Sequence, residues 1–426
     1  MQAVLIIGAF AGMLASGMPI FLALGILSLA LVYLEGMPLI AYPQIFVDHL
    51  TSETLVAIPF FVLAASFMQR GGIAKALVDC ATVWVGGLRG GLALVCVAAT
   101  TVFAAISGSS IATAMAMGTL LVPAMINRSY QRPFALGVVG ASGTLGILIP
   151  PSLPMIVYAI IAEESVPRLF LAGVLPGLLQ ALLFGLWIAF FTWKKGYPKE
   201  DGISRDQFIK ANLRALPALS LPVIILGGIY SGIVTVTESA GLAALTSIIV
   251  ALGVYKGCRL SEIPEIVAGS LRTTASIIFI VMTAGAFAHW IAGSGVSDVL
   301  VGFVESYELS AWQFLLFINV VLLALGMFLE VFAVILIVMP IVLPLLGPLG
   351  INPIHFAVVI MVNMEVALLT PPIGMNLYVL SSITKSPIAE VIRGVLPFIV
   401  IMLLLLILVT YVPEISLFLP EYVYGK

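Results

Sequence analysis

The sequence predicts an all-α polytopic membrane protein made of two inverted-topology repeats, each with a re-entrant hairpin and a broken helix. Three observations carry this reading. The chain is too apolar to be coated by water, its apolar segments are interrupted at four places, and the interruptions recur at one offset. Of 426 residues, 62% are hydrophobic and only 9% charged, and the mean hydropathy is +1.22. Soluble domains carry roughly 25% charged residues, so nucleic-acid-binding, soluble-enzyme and secreted-scaffold classes are excluded. A net charge of −2 names no partner, and Cys80, Cys96 and Cys258 fall in no disulfide or metal spacing.

The elements follow from apolar runs near the length of about 20 residues that crosses a bilayer. The opening "MQAVLIIGAFAGMLASGMP" has no basic start and reads as a retained span, not a cleaved signal. Residues 2–14 and 19–33 form either one interrupted helix or two, and 55–69 is the next span. Residues 73–85 are less apolar, follow a Gly-rich turn, and read as an interfacial arm. A hairpin near 90–126 folds about Ser107, and the broken helix 134–162 and the span 169–193 complete a first repeat, 1–193. The segment 194–214 holds six Lys/Arg and three Asp/Glu and reads as a linker. The second repeat, 215–412, contains spans 215–232, 238–255 and 273–291 and an arm at 297–307. It continues with a hairpin near 312–346 about Leu329, a broken helix 354–383 and a last span 391–412. Residues 413–426 are left as a tail.

The repeats are tied by their landmarks. A shift of 221 residues lays Pro123 on Pro344, Pro150-Pro151 on Pro371-Pro372, and "ISGSS" (106–110) on "MFLEV" (327–331). Charge then sets the orientation. With the linker 194–214 cytoplasmic and both hairpins re-entrant, sixteen of the eighteen Lys/Arg lie inside, leaving only Arg168 and Lys426 outside. A hairpin that crossed once would put Arg89 and Arg128 on opposite sides and spoil that asymmetry. Inverted repeats with broken helices are the pattern of secondary transporters.

The interruptions carry the chemistry. Backbone N–H and C=O groups at membrane depth must be paired or line a polar cavity, and consecutive prolines leave such groups free. "SGTLGILIPPSLP" (142–154) and "EVALLTPPIGMN" (365–376) therefore read as unwound crossings, each facing its own hairpin tip. Freed carbonyls suit Na⁺, and positive helix N-termini suit a carboxylate. "SGSS" by itself equally fits close helix packing; the paired arrangement favours function. Among the acids, Glu238 reads as functional or as a helix start after Thr235. Glu330 sits at the second tip, and Glu365 either works in the cavity or ties loose N–H groups at the second break. His49, His289 and His355 have no ligand spacing. No Lys or Arg falls in the hairpins and breaks, which leaves helix N-termini, hydroxyls and Na⁺ to hold an acid.

The segments "SGSSIATAMAMG", "GTLGILIPPSLPMIVYA", "LPVIILGGIYSGIVTVTESA", "GMFLE" and "LLTPPIGMNLYV" resemble, in this order and over nearly the full chain, the large membrane subunit of tripartite ATP-independent periplasmic (TRAP) transporters. The resemblance implies a scaffold, two arm helices and an elevator transport domain, driven by a Na⁺ gradient. It implies a bacterial inner-membrane location among membrane lipid. The partners it implies are a small four-helix membrane subunit, a periplasmic substrate-binding protein and an organic acid anion such as a C4-dicarboxylate or sialic acid. The small subunit is expected as a separate polypeptide, and no nucleic acid is expected. Carried over residue by residue, two or more Na⁺ ions are expected. One would lie at Ser107, Gly108, Ser109, Gly143 and Pro150, a second at Gly326, Phe328, Glu330, Thr370 and Pro372. Ser110 and Asn376 would meet the substrate. The docking face for the binding protein is expected on 35–54, 347–353 and the arm ends. Two rival readings stand beside this one. One is a carrier of the same fold, H⁺- or Na⁺-coupled, that works without a binding protein. The other is an intramembrane enzyme pairing Ser107 with His289 or His355, for which the duplication has no purpose.

Overall fold

The computed structural model describes residues 2–36, 38, 40–197 and 204–425, and among these the regular structure is all helical. The start of the chain is two helices, α1 (Gln2–Ala15) and α2 (Ile20–Leu34), parted by a left-handed Gly17 and by Pro19. A short α3 (Ala41–Leu50) occupies part of 35–54, the stretch expected to offer a docking face. Then come α4 (Glu53–Arg70), the first arm α5 (Ile73–Val85), and the hairpin of α6 (Gly91–Ser107) and α7 (Ser110–Asn127). The first broken helix is α8 (Arg132–Thr144), a 3-10 turn at Leu145–Ile147, and α9 (Leu153–Ala162), followed by α10 (Val166–Lys194).

Residues 198–203 of the expected linker lie outside the described residues, and its last part is already α11 (Arg205–Tyr230), started by a Ser204–Gln207 capping box. Helix α12 (Val236–Ile249) runs into a π turn at Val250–Val254. Helix α13 (Ile263–Gly293) starts well before the predicted apolar run, and the second arm is α14 (Val296–Ser306). The second hairpin is α15 (Ala311–Gly326) and α16 (Val331–Leu346), and the second broken helix is α17 (Pro353–Leu368) and α18 (Met375–Thr384). Helix α19 (Ile388–Tyr411) precedes α20 (Glu414–Tyr424), which stands where a tail was expected and packs on α10 and α17.

Seven of these helices are long and apolar enough to cross a membrane. The offset seen in sequence recurs in the elements: Ser110 and Val331 begin α7 and α16, and Arg132 and Pro353 lie at the starts of α8 and α17, 221 residues apart in both cases. Two packing groups result. In one, α4 lies against α12 and α13, and α2 against α13; in the other, α8 lies against α19, α7 against α18, and α9 against α16. Each arm joins the groups, α5 between α11 and α6, α14 between α13 and α16. The second group holds the most buried helices: Phe134 to Thr144 of α8 and Ile354 to Leu368 of α17 are buried on every face, as a central helix must be.

Helices α8 and α19 approach through glycine. A Cβ on Gly137 would lie 2.0 Å from the Gly394 carbonyl oxygen, and one on Gly394 would lie 1.9 Å from that of Pro133. Close backbone approach of this kind holds membrane helices together by van der Waals contact. Gly137→Ala or Gly394→Ala is expected to destabilise by about 1–3 kcal/mol, read as a lowered thermal unfolding midpoint in detergent. Gly241→Ala, where nothing stands within 4 Å, is the control and should not lower it.

Candidate functional site

Each hairpin tip is clamped to the break of its own half. Gly108, in the left-handed region at φ 60, turns the first tip, and its carbonyl accepts a hydrogen bond from the Leu153 N–H at 3.3 Å. In the second half the Met327 carbonyl accepts from the Gly374 N–H at 3.4 Å. Leu153 and Gly374 each follow their second proline by two residues and are themselves 221 apart. Both Pro-Pro bonds, 150-151 and 371-372, are cis.

Between the tips and the first packing group lies a cavity of about 480 Å³, within the range of small-molecule sites. Ser107 to Ser110 form one wall, Glu330 and Val331 of the second tip another, and α4 and α13 the side opposite. Helices α7 and α16 both point their N-termini here. Ser109 caps α7, its hydroxyl accepting from the Ala112 N–H at 3.4 Å, whereas Glu330 starts α16 without a side-chain cap bond. Arg70, the last residue of α4 and so outside the hairpins and breaks, also lines the cavity. It is bound to Glu265 at 2.9 Å, and both side chains are substantially exposed, so this pair adds little stability.

The predicted residues are placed as follows. Ser107 and Ser109 are held by a residue that the sequence reading missed, Thr113, whose hydroxyl donates to the Ser109 carbonyl at 2.7 Å and pairs with the Ser107 hydroxyl. The signal was a hydroxyl one helical turn beyond Ser109. Gly143 packs against Ala114, a turn below the tip, and the glycine that meets the tip is Gly146, where a Cβ would stand 2.6 Å from the Ser109 carbonyl oxygen. Pro150 is buried in the first break. In the second half Gly326 packs on Ala367 and Met364, and the Thr370 hydroxyl donates to the Val366 carbonyl at 2.7 Å. Pro372 is the second residue of the cis pair, and the Phe328 side chain is exposed. Ser110 and Asn376, 266 residues apart, are bonded to each other: the Asn376 amide donates to the Ser110 hydroxyl at 2.6 Å, both residues being buried.

The remaining acids and histidines resolve individually. Glu238 is the acid of a capping box, accepting from the Thr235 N–H at 2.8 Å, which is the helix-start alternative. Glu365 does not tie down the second break, since neither of its oxygens has a hydrogen-bond partner. His355 lies within bonding distance of Ser416 and of the Thr410 carbonyl, at 3.3 Å each, not of Ser107. The side chain of His49 lies outside the described residues. No group of three His, Cys, Asp or Glu stands together among the described residues, so any cation held here must use carbonyl, hydroxyl and single carboxylate oxygens.

Known proteins agree with this architecture. A solved structure, "Crystal structure of the Alcanivorax borkumensis YdaH transporter reveals an unusual topology", matches with a TM-score of 0.64 at 14% identity, covering 89% of this chain and 88% of that one; it shows the fold. The C4-dicarboxylate TRAP transporter large permease protein of Pseudomonas aeruginosa is 46% identical over 374 residues, 87% of this chain and 88% of the relative. The sialic acid TRAP transporter large permease protein of Vibrio cholerae is 35% identical over 415 residues, 97% of each. The family model described as "Tripartite ATP-independent periplasmic transporter, DctM component" matches residues 7–415. With these matches spanning the hairpins, the breaks and the cavity, the chain belongs to the tripartite ATP-independent periplasmic transporters as a large permease protein, a multi-pass membrane protein and not an enzyme.

Proposed function

We propose that the protein imports an organic acid anion, of C4-dicarboxylate or sialic acid class, coupled to Na⁺ entry and by elevator-type alternating access. The observation that carries this is the place of the cavity. It lies at the seam between two packing groups, with both hairpin tips on one side and α4 and α13 on the other. A ligand there moves with the tips if the second group slides, and α5 and α14, each touching both groups, are placed as the arms. The constant 221-residue register of hairpins and breaks supports two repeats of inverted topology, 1–193 and 215–412, with 194–214 cytoplasmic in a bacterial inner membrane.

In this reading the tip carbonyls and the hydroxyls of Ser107 and Ser109 hold one Na⁺, with Gly143, Gly146 and Pro150 shaping the backbone around it. Tip 2 and the second break, with Gly326, Phe328, Glu330, Thr370 and Pro372, hold another. The anion is met by the N-termini of α7 and α16 and by Ser110, whose hydroxyl Asn376 orients. Cations beside the helix ends offset its charge, so binding of the two ions and the anion is mutually supportive. A small membrane subunit and a periplasmic binding protein act with the chain, the binding protein delivering the anion.

Reconstitution tests this directly. Liposomes carrying the chain with its small subunit should take up a C4-dicarboxylate or sialic acid only with an inward Na⁺ gradient and the cognate binding protein. Uptake driven by a pH gradient without that protein would favour the H⁺-coupled alternative, with Glu330 as its acid.

Two predictions follow for the purified complex. Na⁺ at a hundredfold excess over Kd should stabilise it against unfolding by about 2.7 kcal/mol relative to K⁺ at equal ionic strength, and Thr113→Val, which leaves the tip hydroxyl and carbonyl unheld, should remove most of that gain. Asn376→Leu leaves the Ser110 hydroxyl unoriented. A buried polar group left unpaired costs about 1–3 kcal/mol, so anion affinity is expected to fall roughly five- to hundredfold while Na⁺ stabilisation persists. Equal losses of both would show that Asn376 only supports the fold.

A further inference from the structure

Glu365 is fully buried in α17, 0% exposed, and neither carboxylate oxygen has a hydrogen-bond partner. It occupies the position that Thr144 holds in the first half, 221 residues earlier. The two are linked through Gln180 of α10, whose amide lies within hydrogen-bonding reach of Glu365 and donates to Thr144. The chain of bonds fixes which way Gln180 faces. Thr144 donates its hydroxyl hydrogen to the Ala141 carbonyl at 2.8 Å, so it can only accept from Gln180, whose Nε2 stands 3.3 Å away. The Gln180 nitrogen is thereby turned to Thr144, and its oxygen, also buried, is left without a partner.

By bond geometry the cluster thus holds three unpartnered acceptor oxygens, two on Glu365 and one on Gln180, with the second Gln180 N–H as a weak donor toward Glu365 and no opposite charge acting on it. Among the described residues, no titratable group on the elements packed against α17 is an electrostatic partner of Glu365: not Arg168 or Lys194 of α10, Tyr158 of α9, Tyr378 of α18, Glu390, Arg393 or Tyr411 of α19, nor Glu414, Glu421, Tyr422 or Tyr424 of α20. His355, on α17 itself, is ten residues away and bonded to Ser416 and Thr410. An unpaired carboxylate has no means of support in such a place.

We propose that Glu365 is an occluded proton-binding site at the junction of the two halves. A proton on Glu365 turns one of the three acceptors into a donor, and the new O–H serves the orphan oxygen of Gln180. The resulting relay, Glu365 to Gln180 to Thr144 to the Ala141 carbonyl, joins α17, α10 and α8 beside both breaks. None of Glu365, Gln180 and Thr144 lines the cavity. Thr144 is next to Gly143 of the first proposed cation site, but the proton site does not depend on that cation site being correct.

Infrared spectroscopy of the purified complex with its small subunit tests this. The unaltered protein at mildly alkaline pH should show a protonated-carboxyl C=O band that exchanges slowly in D₂O, that is absent from Glu365→Gln, and that is the same in Na⁺ and K⁺. Should Glu365→Gln fail to fold, the unaltered protein made with δ-¹³C-glutamate must show the slow band at the isotope-shifted position, and Gln180→Leu must move it by removing its acceptor. Absence of a slowly exchanging acid band overturns the proposal. So does a band that Na⁺ abolishes and K⁺ does not, because the cluster is then a cation site.

Discussion

The structure depends on one constraint: a backbone that leaves helix in an apolar interior must find partners for its polar groups. The chain leaves helix at four places inside the second packing group, two hairpin tips and two Pro-Pro breaks, and it satisfies them in pairs. The Leu153 N–H meets the Gly108 carbonyl and the Gly374 N–H meets the Met327 carbonyl, so each interruption supplies what the other lacks. Proline removes donors but not acceptors. Every such pairing therefore leaves a surplus of carbonyl oxygen around the tips, and this surplus makes the region a candidate for cations in a chain whose described residues hold no acid or histidine cluster.

That pairing also decides where the cavity can be. These bonds join each tip to its break, and the group they belong to is closed by glycine contacts between α8 and α19. The faces left to form a cavity are the outer sides of the tips, where they meet α4 and α13. A site built at such a seam has one wall of tip hydroxyls and helix N-termini and a second, from α4 and α13, that mixes apolar residues with Ser66, Gln69, Ser270, Thr273 and the Arg70–Glu265 pair. The wall bearing the hydroxyls and helix N-termini belongs to the body that the proposed elevator would move, and so the ligand's partners would travel with it.

Much of this was legible in the residues, because membranes turn composition into geometry. The hairpin about Ser107, the arm at 73–85, the breaks at the two proline pairs and the 221-residue register needed only apolar run length and the positions of proline and glycine. What was missed has a common cause. Helices α3 and α20, the early start of α13 and the first turns of α11 are amphipathic or polar, and a search for apolar runs passes over them. The site was half legible. Ser110 and Asn376 were each singled out, but their bond to one another depends on how the halves interlock, which no local spacing encodes. Thr113 and Gly146 matter through backbone contacts across the tip. Arg70 reaches the cavity because α4 ends beside the first tip, a tertiary fact.

The two halves share the 221-residue register of their elements but not a chemistry. The mirror image of the Ser110–Asn376 bond would join Val331 to Met155, each 221 residues from its counterpart. Both of those are buried apolar residues, on helices α16 and α9 that pack against each other. The same pair of positions thus carries a hydrogen bond on one side and two buried apolar residues on the other. Thr144 and Glu365 diverge in the same manner, one tied to its own helix and the other left without a partner. With the inverted repeats proposed above, a backbone of this kind would have two equivalent arrangements. Unequal side chains are what give those arrangements different energies and confine the polar contacts to one face, and a transporter needs both properties if a bound ion is to favour one arrangement over the other.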